Sequence, residues 1–198
     1  MKKRLVGSLL ILLLIFPVSA YSGAPLEEVK GYVNRVLDVL RDPALRGETE
    51  KKVKKEKISA ISNEMFDFTE LSKRSLAQYW NRMNPDQQKN FVNLYKSLLQ
   101  DTYTDKITAY TDEKLVFRKE IALSEKTAEV QTEVFTKTAK IPINYRVIEK
   151  DGHWKVYDVV IEGVSLINNY RIQFREILSN GTPEALLERL RQKVGTTS

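Results

Sequence analysis

The carboxylate best placed to take part in chemistry is Asp158, which is predicted to lie with Tyr145 and Glu162 on the apolar side of a β-sheet. A carboxylate in such surroundings can act as the general base of an enzyme, as in cone-shaped folds of sheet and helices that hold isomerases. It can equally accept hydrogen bonds from Tyr145 or from the start of the next helix near Ser165, and so fix that helix to the sheet. Both interpretations stay open, and the structural one is favoured.

Other catalytic chemistry has little support in this chain. It contains a single histidine, His153, and no cysteine. Because His153 lies in or beside a predicted hairpin turn, we expect a solvated side chain and not a catalytic one. Ser-His-Asp and Cys-His catalytic sets, and zinc sites built from His and Cys, are therefore not expected. Apart from the alternative at Asp158, the sequence predicts no catalytic residue, and it predicts no metal site and no cofactor.

Hydrophobic periodicity predicts an α+β fold in which helices come first, an antiparallel sheet follows and helices return. Alternation of apolar and polar residues between positions 115 and 160 indicates the strands. Asn84 can cap a long helix whose capping box is completed by Gln87. Apolar residues three or four positions apart indicate helices over residues 25–41, 48–62, 69–80, 84–110, 164–179 and 182–194.

A two-residue turn sets the predicted register of the last two strands. Asp151-Gly152 is a hairpin signal that pairs Lys150 with His153. Counting back from this turn gives the facing pairs on the interior side of the sheet, which are Val147 with Val156, Tyr145 with Asp158, and Ile143 with Val160.

The N-terminus has the profile of a signal peptide. Basic residues at positions 2–4 precede an apolar stretch from Leu5 to Phe16, and Val18-Ser19-Ala20 precedes the expected cleavage site. We therefore expect residues 1–20 to be removed and a single domain to remain over residues 21–198. Since no cysteine is present to be lipidated, the mature protein is expected to be released as a soluble protein.

The charge of the mature chain argues against nucleic acid as a partner. Removal of residues 1–20 takes away three basic residues, which leaves 29 Lys and Arg against 26 Asp and Glu. This small excess gives little counterion release on binding to a polyanion. The lysine-rich segment 51–57 is typical of a solvated helix face, and it could also meet anionic lipid head groups or an acidic partner, as in an adaptor or chaperone.

Three segments resemble one family, the MlaC or toluene-tolerance family of periplasmic phospholipid-binding proteins. The first runs from Leu76 through Trp80 into residues 84–91, and the second covers residues 98–110. The third and most specific is the run Trp154 to Leu166, with its Asp-Val-x-x-Glu-Gly-Val-Ser stretch, followed by residues 169–174. The chain departs from the family at Ala77, where many members carry glycine.

The resemblance implies a fold and a set of partners. The fold is a twisted antiparallel sheet wrapped by helices, similar to the NTF2-like cone, with an apolar pocket for phospholipid acyl chains. The implied partners are an outer-membrane lipoprotein complex, the MCE-domain ring of an inner-membrane ABC transporter, and the membrane in transient contact. A bound phospholipid is the ligand, and no enzymatic activity is expected.

The predicted lipid-binding residues come from the long helix, the inner sheet face and the helix after the sheet. Periodicity alone would assign these stripes to a filled core, because it does not distinguish packing from a pocket. The predicted set is Tyr95, Leu98, Leu99, Tyr103, Val130, Val134, Ile143, Tyr145, Val147, Val156, Asp158, Val160, Ile167, Tyr170 and Phe174.

Overall fold

Helices, an antiparallel sheet and further helices follow one another along the chain, which confirms the α+β prediction. The computed structural model describes residues 24–109 and 114–197, so the predicted signal peptide lies outside the described residues. The helices are α1 (Ala24–Arg41), α2 (Lys51–Met65), α3 (Phe68–Leu76), α4 (Pro85–Thr108), α5 (Leu166–Asn180) and α6 (Pro183–Thr197), with short 3-10 helices at Pro43–Leu45 and Ala77–Arg82. The strands are β1 (Lys114–Ser124), β2 (Thr127–Phe135), β3 (Lys140–Lys150), β4 (His153–Ile161) and β5 (Val164–Ser165), paired in that order.

The helix boundaries follow local chemistry. At the start of α4, the Asn84 side chain accepts a hydrogen bond from the Gln87 backbone N–H at 2.9 Å, and the Gln87 side chain accepts one from the Asn84 backbone N–H at 2.8 Å. This confirms the predicted capping box. The helix predicted from residue 164 instead begins at Leu166, because Ser165 caps it by accepting from the Asn168 backbone N–H. No helix among the described residues is long and apolar enough to span a bilayer.

The register of β3 and β4 is as predicted near the turn and wrong beyond it. Lys150 pairs with His153, and Val147 pairs with Val156. A one-residue bulge at Tyr157 then shifts the pairing, so that Arg146 faces Asp158. An extra residue in one strand turns every following side chain to the other face of the sheet.

The shift corrects two predicted pairs. Tyr145 faces Val159 and not Asp158, and Ile143 faces Ile161 and not Val160. Asp158 and Val160 therefore lie on the sheet face opposite to Tyr145. The predicted grouping of Asp158 with Tyr145 on the apolar side is wrong.

A large apolar core lies among the helices and is here called the helical cluster. It fills the space between α3, α4, α5 and α6, and it reaches the sheet through Tyr157. Its buried members are Leu71, Leu76, Met83, Phe91, Tyr95, Leu98, Leu99, Tyr157, Ile167, Tyr170, Phe174, Leu178, Leu186, Leu187 and Leu190.

Candidate functional site

A second apolar core, the sheet-face cluster, lies between α1 and the sheet. It uses one face of the alternating strands together with the apolar stripe of α1. Its buried members are Val29, Val33, Met65, Ala128, Val130, Val147, Trp154, Val156 and Val159. The two cores thus lie on opposite faces of β4, since Tyr157 belongs to one and its neighbour Val156 to the other.

An apolar surface that is only partly buried packs against the sheet-face cluster. We call it the apolar rim, and it consists of Leu26, Tyr32, Leu37, Phe66, Leu115, Phe117, Ile143, Tyr145, Ile161 and Leu166. Hydrophobic side chains that stay partly accessible beside an apolar core are typical of a binding site, because their exposure to water is unfavourable. Sheet and helix together therefore present a surface suited to an apolar ligand.

Helix α1 is fastened over this surface by polar contacts at its start. The Leu26 backbone N–H donates to the Glu120 carboxylate on β1 at 2.9 Å. The Glu28 carboxylate accepts from the Trp154 backbone N–H and lies 3.0 Å from His153 Nδ1. His153 is exposed, as predicted for a turn residue.

Further along α1, two more contacts reach β4 and α2. The Tyr32 hydroxyl accepts a hydrogen bond from Lys155 Nζ at 3.1 Å. The Arg35 guanidinium and the Glu64 carboxylate form a two-armed pair at 2.7 and 3.1 Å. The hydrogen bond and charge of Glu64 raise the pKa of Arg35, and those of Arg35 lower the pKa of Glu64. These contacts hold the helix that forms one wall of the apolar rim.

Tyr145 is one of the two tyrosines of the apolar rim, the other being Tyr32. It lies between Val130 on β2 and Val159 on β4. Burial raises the pKa of its phenol to about 12, which reflects apolar surroundings. Among the described residues its hydroxyl has no hydrogen-bond partner.

The fifteen predicted lipid-binding residues do not form one group. The sheet-face cluster and apolar rim contain Val130, Ile143, Tyr145, Val147 and Val156. The helical cluster, with the partly buried residue that packs on it, contains Tyr95, Leu98, Leu99, Tyr103, Ile167, Tyr170 and Phe174. The remaining three, Val134, Asp158 and Val160, are buried outside both clusters.

The aromatic residues of the helical cluster are packed against one another. Tyr95 is fully buried, and its ring centroid lies 5.0 Å from that of Tyr170 and 5.1 Å from that of Phe174. Both contacts are edge-to-face, the geometry that aromatic pairs prefer. The Tyr95 hydroxyl lies 3.3 Å from that of Ser75, and burial raises the pKa of this phenol. This part of the predicted site therefore has the geometry of a filled core.

Asp158 ties the sheet to the start of α5. Its Oδ2 atom accepts from Arg146 Nη1 at 3.2 Å and from the Ser165 hydroxyl at 2.7 Å. Its Oδ1 atom accepts from the Ile167 backbone N–H at 3.1 Å. Arg146 also donates to Glu129 at 3.2 Å. The structural interpretation made from the sequence is thus right about the helix start and wrong about Tyr145 as the donor.

This environment gives no support to Asp158 as a general base. Asp158 is 1% exposed, and its oxygens accept three hydrogen bonds. Glu162, predicted to accompany it, is exposed in the turn before β5 and adopts a positive φ of 50°. Within residues 24–109 and 114–197, no three His, Cys, Asp or Glu side chains form a potential metal site.

Two surface concavities in the described part of the chain are lined by none of the predicted lipid residues. One, of about 400 Å³, is bordered by residues of α1 and the following loop, from Asp38 to Pro43. The other, of about 80 Å³, lies between α2 and α4 beside Lys55 and Asp105, whose charged groups are 2.5 Å apart. Lys51 pairs likewise with Glu48 at 2.6 Å, so the lysine-rich segment is partly neutralised.

Sequence reasoning missed several members of the apolar rim. Leu115 and Phe117 follow the alternation of β1, and Ile161 follows that of β4. The alternation was visible in the sequence, but the residues that face α1 were identifiable only from the pairing of all four long strands. Tyr32 and Leu37 lie on α1. The periodicity of the sequence predicts this helix but not its position over the sheet.

Comparison with known proteins identifies the relatives of this chain. The model of the MlaC protein family matches residues 30–192, which is most of the chain. The intermembrane phospholipid transport system binding protein MlaC of Haemophilus influenzae is 22% identical over 140 residues, and the match covers 67% of this chain but only 65% of that relative's length. The toluene tolerance protein ttg2D of Pseudomonas putida is 22% identical over 173 residues, covering 86% of this chain and 80% of the relative.

A solved structure has the same fold. A phospholipid-binding protein from Ralstonia solanacearum, determined in complex with a phospholipid, superposes with a TM-score of 0.79 at 25% sequence identity. The superposition covers 88% of this chain and 99% of that one. The helix-wrapped sheet described above is therefore an architecture already seen with a lipid bound.

Proposed function

This chain belongs to the MlaC protein family, and from that premise we propose that it is a periplasmic phospholipid carrier that moves lipid between the outer and inner membranes. The observation that carries the proposal is the apolar rim between α1 and the sheet. Five of the residues predicted from the sequence, Val130, Ile143, Tyr145, Val147 and Val156, lie in or beside it. We propose this surface as the acyl-chain site, and assign the helical cluster to stability.

A carrier of this kind removes a large barrier. A two-chain phospholipid in water exposes on the order of 30 methylenes at about 0.8 kcal/mol each, so free transfer faces a barrier above ~20 kcal/mol. An apolar protein surface nearly cancels that term. The free energies of the lipid in the protein and in the bilayer are then similar, and partners can set the direction of transfer.

The partners follow from the same premise. We infer transient contact with the membrane, with an outer-membrane lipoprotein complex and with the MCE-domain ring of an inner-membrane ABC transporter, whose ATP hydrolysis would drive the cycle. The carrier needs only to open, hold and release lipid, which requires no catalytic residue. Co-purification of this chain with an MCE-domain ring after chemical cross-linking in the periplasm tests the inner-membrane contact, and absence of any cross-link would refute it.

The carrier function is tested by native mass spectrometry of the protein purified from a bacterial periplasm, followed by lipid extraction. We expect one phospholipid per protein at near-full occupancy. A folded protein that carries no lipid, and that does not accelerate transfer of fluorescent phospholipid between vesicles, would refute the proposal.

The location of the site is tested by a pair of substitutions on β3. Ile143→Glu places a carboxylate in the apolar rim, where desolvation opposes it, so bound lipid should fall roughly tenfold or more. Ile148→Glu is the matched control, since Ile148 is also partly buried but packs on the helical cluster at the other face. Equal lipid content in both folded variants, measured by native mass spectrometry, would contradict this assignment.

A further inference from the structure

The apolar rim contains a hydrogen-bond donor without a partner, the Tyr145 hydroxyl. Two other hydroxyl groups near it, one on β2 and one on α1, are engaged in hydrogen bonds. The Thr132 hydroxyl donates to the Ile143 carbonyl at 2.6 Å, and the Tyr32 hydroxyl accepts from Lys155. Tyr145 alone among these three keeps its hydroxyl free.

The Tyr145 hydroxyl is not completely sealed inside the protein. Every fully buried side-chain nitrogen and oxygen in the described part of the chain has a hydrogen-bond partner. A hydroxyl without a partner is therefore reached by solvent or by a ligand, which agrees with the partial burial of the Tyr145 ring. Its neighbours across the strands, Val130 and Val159, offer no polar atom in their side chains.

The phenol is a donor under physiological conditions. Burial raises the pKa of Tyr145 to about 12, so the hydroxyl keeps its proton at neutral pH. A donor in apolar surroundings is costly to leave unpaired, and a ligand that brings an acceptor to it is favoured over one that does not.

We propose that the Tyr145 hydroxyl donates a hydrogen bond to an ester carbonyl oxygen of the bound phospholipid. The inference rests on the proposed carrier function and goes beyond it, because it names the lipid atom that is recognised. Ester carbonyls are the first acceptors that follow the methylene chains, so they suit a donor flanked by valines. A phosphate is charged and belongs outside such surroundings. Tyr145 thereby sets the depth to which the acyl chains insert and favours diacyl over dialkyl lipids.

The test compares two lipids and two side chains. The wild-type protein competes for equal amounts of diester and diether phosphatidylglycerol of the same chain length, and native mass spectrometry gives the ratio bound. We expect wild type to prefer the diester roughly threefold to tenfold, the range of one neutral hydrogen bond. Tyr145→Phe keeps the ring and should bring the ratio to about one.

Tyr157→Phe is the matched control, because it removes a phenol from the opposite face of the same sheet and should leave the ratio unchanged. The ratio is independent of the folded fraction, so loss of stability does not obscure it. A wild-type ratio near one, or a preference that persists in Tyr145→Phe, would overturn the assignment of Tyr145 while the carrier function stands. Failure of wild type to bind either lipid would overturn both.

Discussion

Replacement of Asp158 by alanine should destabilise the fold without removing the lipid site. The substitution deletes three hydrogen bonds that Asp158 accepts in a buried position, from Arg146, Ser165 and the backbone of Ile167. Removing one partner of a buried ion pair costs about 3–5 kcal/mol. The Arg146 side chain is 35% exposed and keeps its contact with Glu129, which favours the lower end of that range. We expect a loss of about 3 kcal/mol in the free energy of unfolding.

Urea unfolding followed by tryptophan fluorescence measures this loss. Trp154 lies in the sheet-face cluster and Trp80 packs on the helical cluster, so both cores are reported. Asp151→Asn is the control, since Asp151 is exposed in the hairpin turn and asparagine tolerates its φ of 54°, and its change should stay within about 0.5 kcal/mol. Lipid carried per folded molecule should be unchanged in Asp158→Ala.

Two results would refute the reasoning about Asp158. A loss of stability below about 1 kcal/mol would show that the three hydrogen bonds do not fasten α5 to the sheet. Unchanged stability together with abolished lipid transfer would show that Asp158 acts directly in lipid binding or transfer. The double variant Asp158→Ala with Arg146→Met gives an internal check, because removing both charges should cost less than the sum of the single changes.

Two further predictions concern the ends of α3. Ala77 adopts φ 50° and ψ −123°, a region that strongly favours glycine. Ala77→Gly should therefore raise the free energy of unfolding, measured by urea titration, by about 1 kcal/mol. A decrease would contradict this prediction. Burial alone would raise the pKa of Asp67, but hydrogen bonds from Lys150 and the Glu70 backbone outweigh it and lower that pKa. The stability that this lowered pKa provides is complete above the pKa of an aspartate in the unfolded chain, about 3.9. It is lost as pH falls through the lower pKa of Asp67 in the folded protein. The stability gap between wild type and Asp67→Asn should therefore narrow between pH 7 and pH 3, and a constant gap would refute the coupling.

Local signals in the sequence predict most of the fold. The capping box at Asn84 and the turn at Asp151-Gly152 lie where short-range chemistry predicts, because each depends on residues within a few positions. The bulge at Tyr157 is different. It places Tyr157 and Asp158, which are neighbours in sequence, on the same face of the sheet, where Tyr157 packs into the helical cluster through contacts with residues distant in the chain. Local periodicity therefore placed Asp158 on the wrong face.

The same reasoning explains why only part of the candidate site could be predicted. Tyr95 and Tyr145 both lie on apolar stripes, and the sequence predicts both as ligand contacts without distinguishing between them. In the structure Tyr95 is fully buried against Tyr170 and Phe174, whereas Tyr145 is partly accessible with a free hydroxyl. Whether a stripe is filled or open depends on how much volume the facing elements supply, which is a property of the assembled fold.

The two apolar cores let the proposed lipid site and the stability of the fold depend on different residues. The helical cluster buries fifteen residues, and its aromatic rings pack against one another. The sheet-face cluster can then leave ten hydrophobic residues partly exposed without unfolding the protein. Asp158 joins the two regions, since its own strand faces both and its hydrogen bonds fix α5. Under the proposed function, lipid would enter and leave beside α1 while α3 to α6 stay packed, as a carrier that must release its ligand requires.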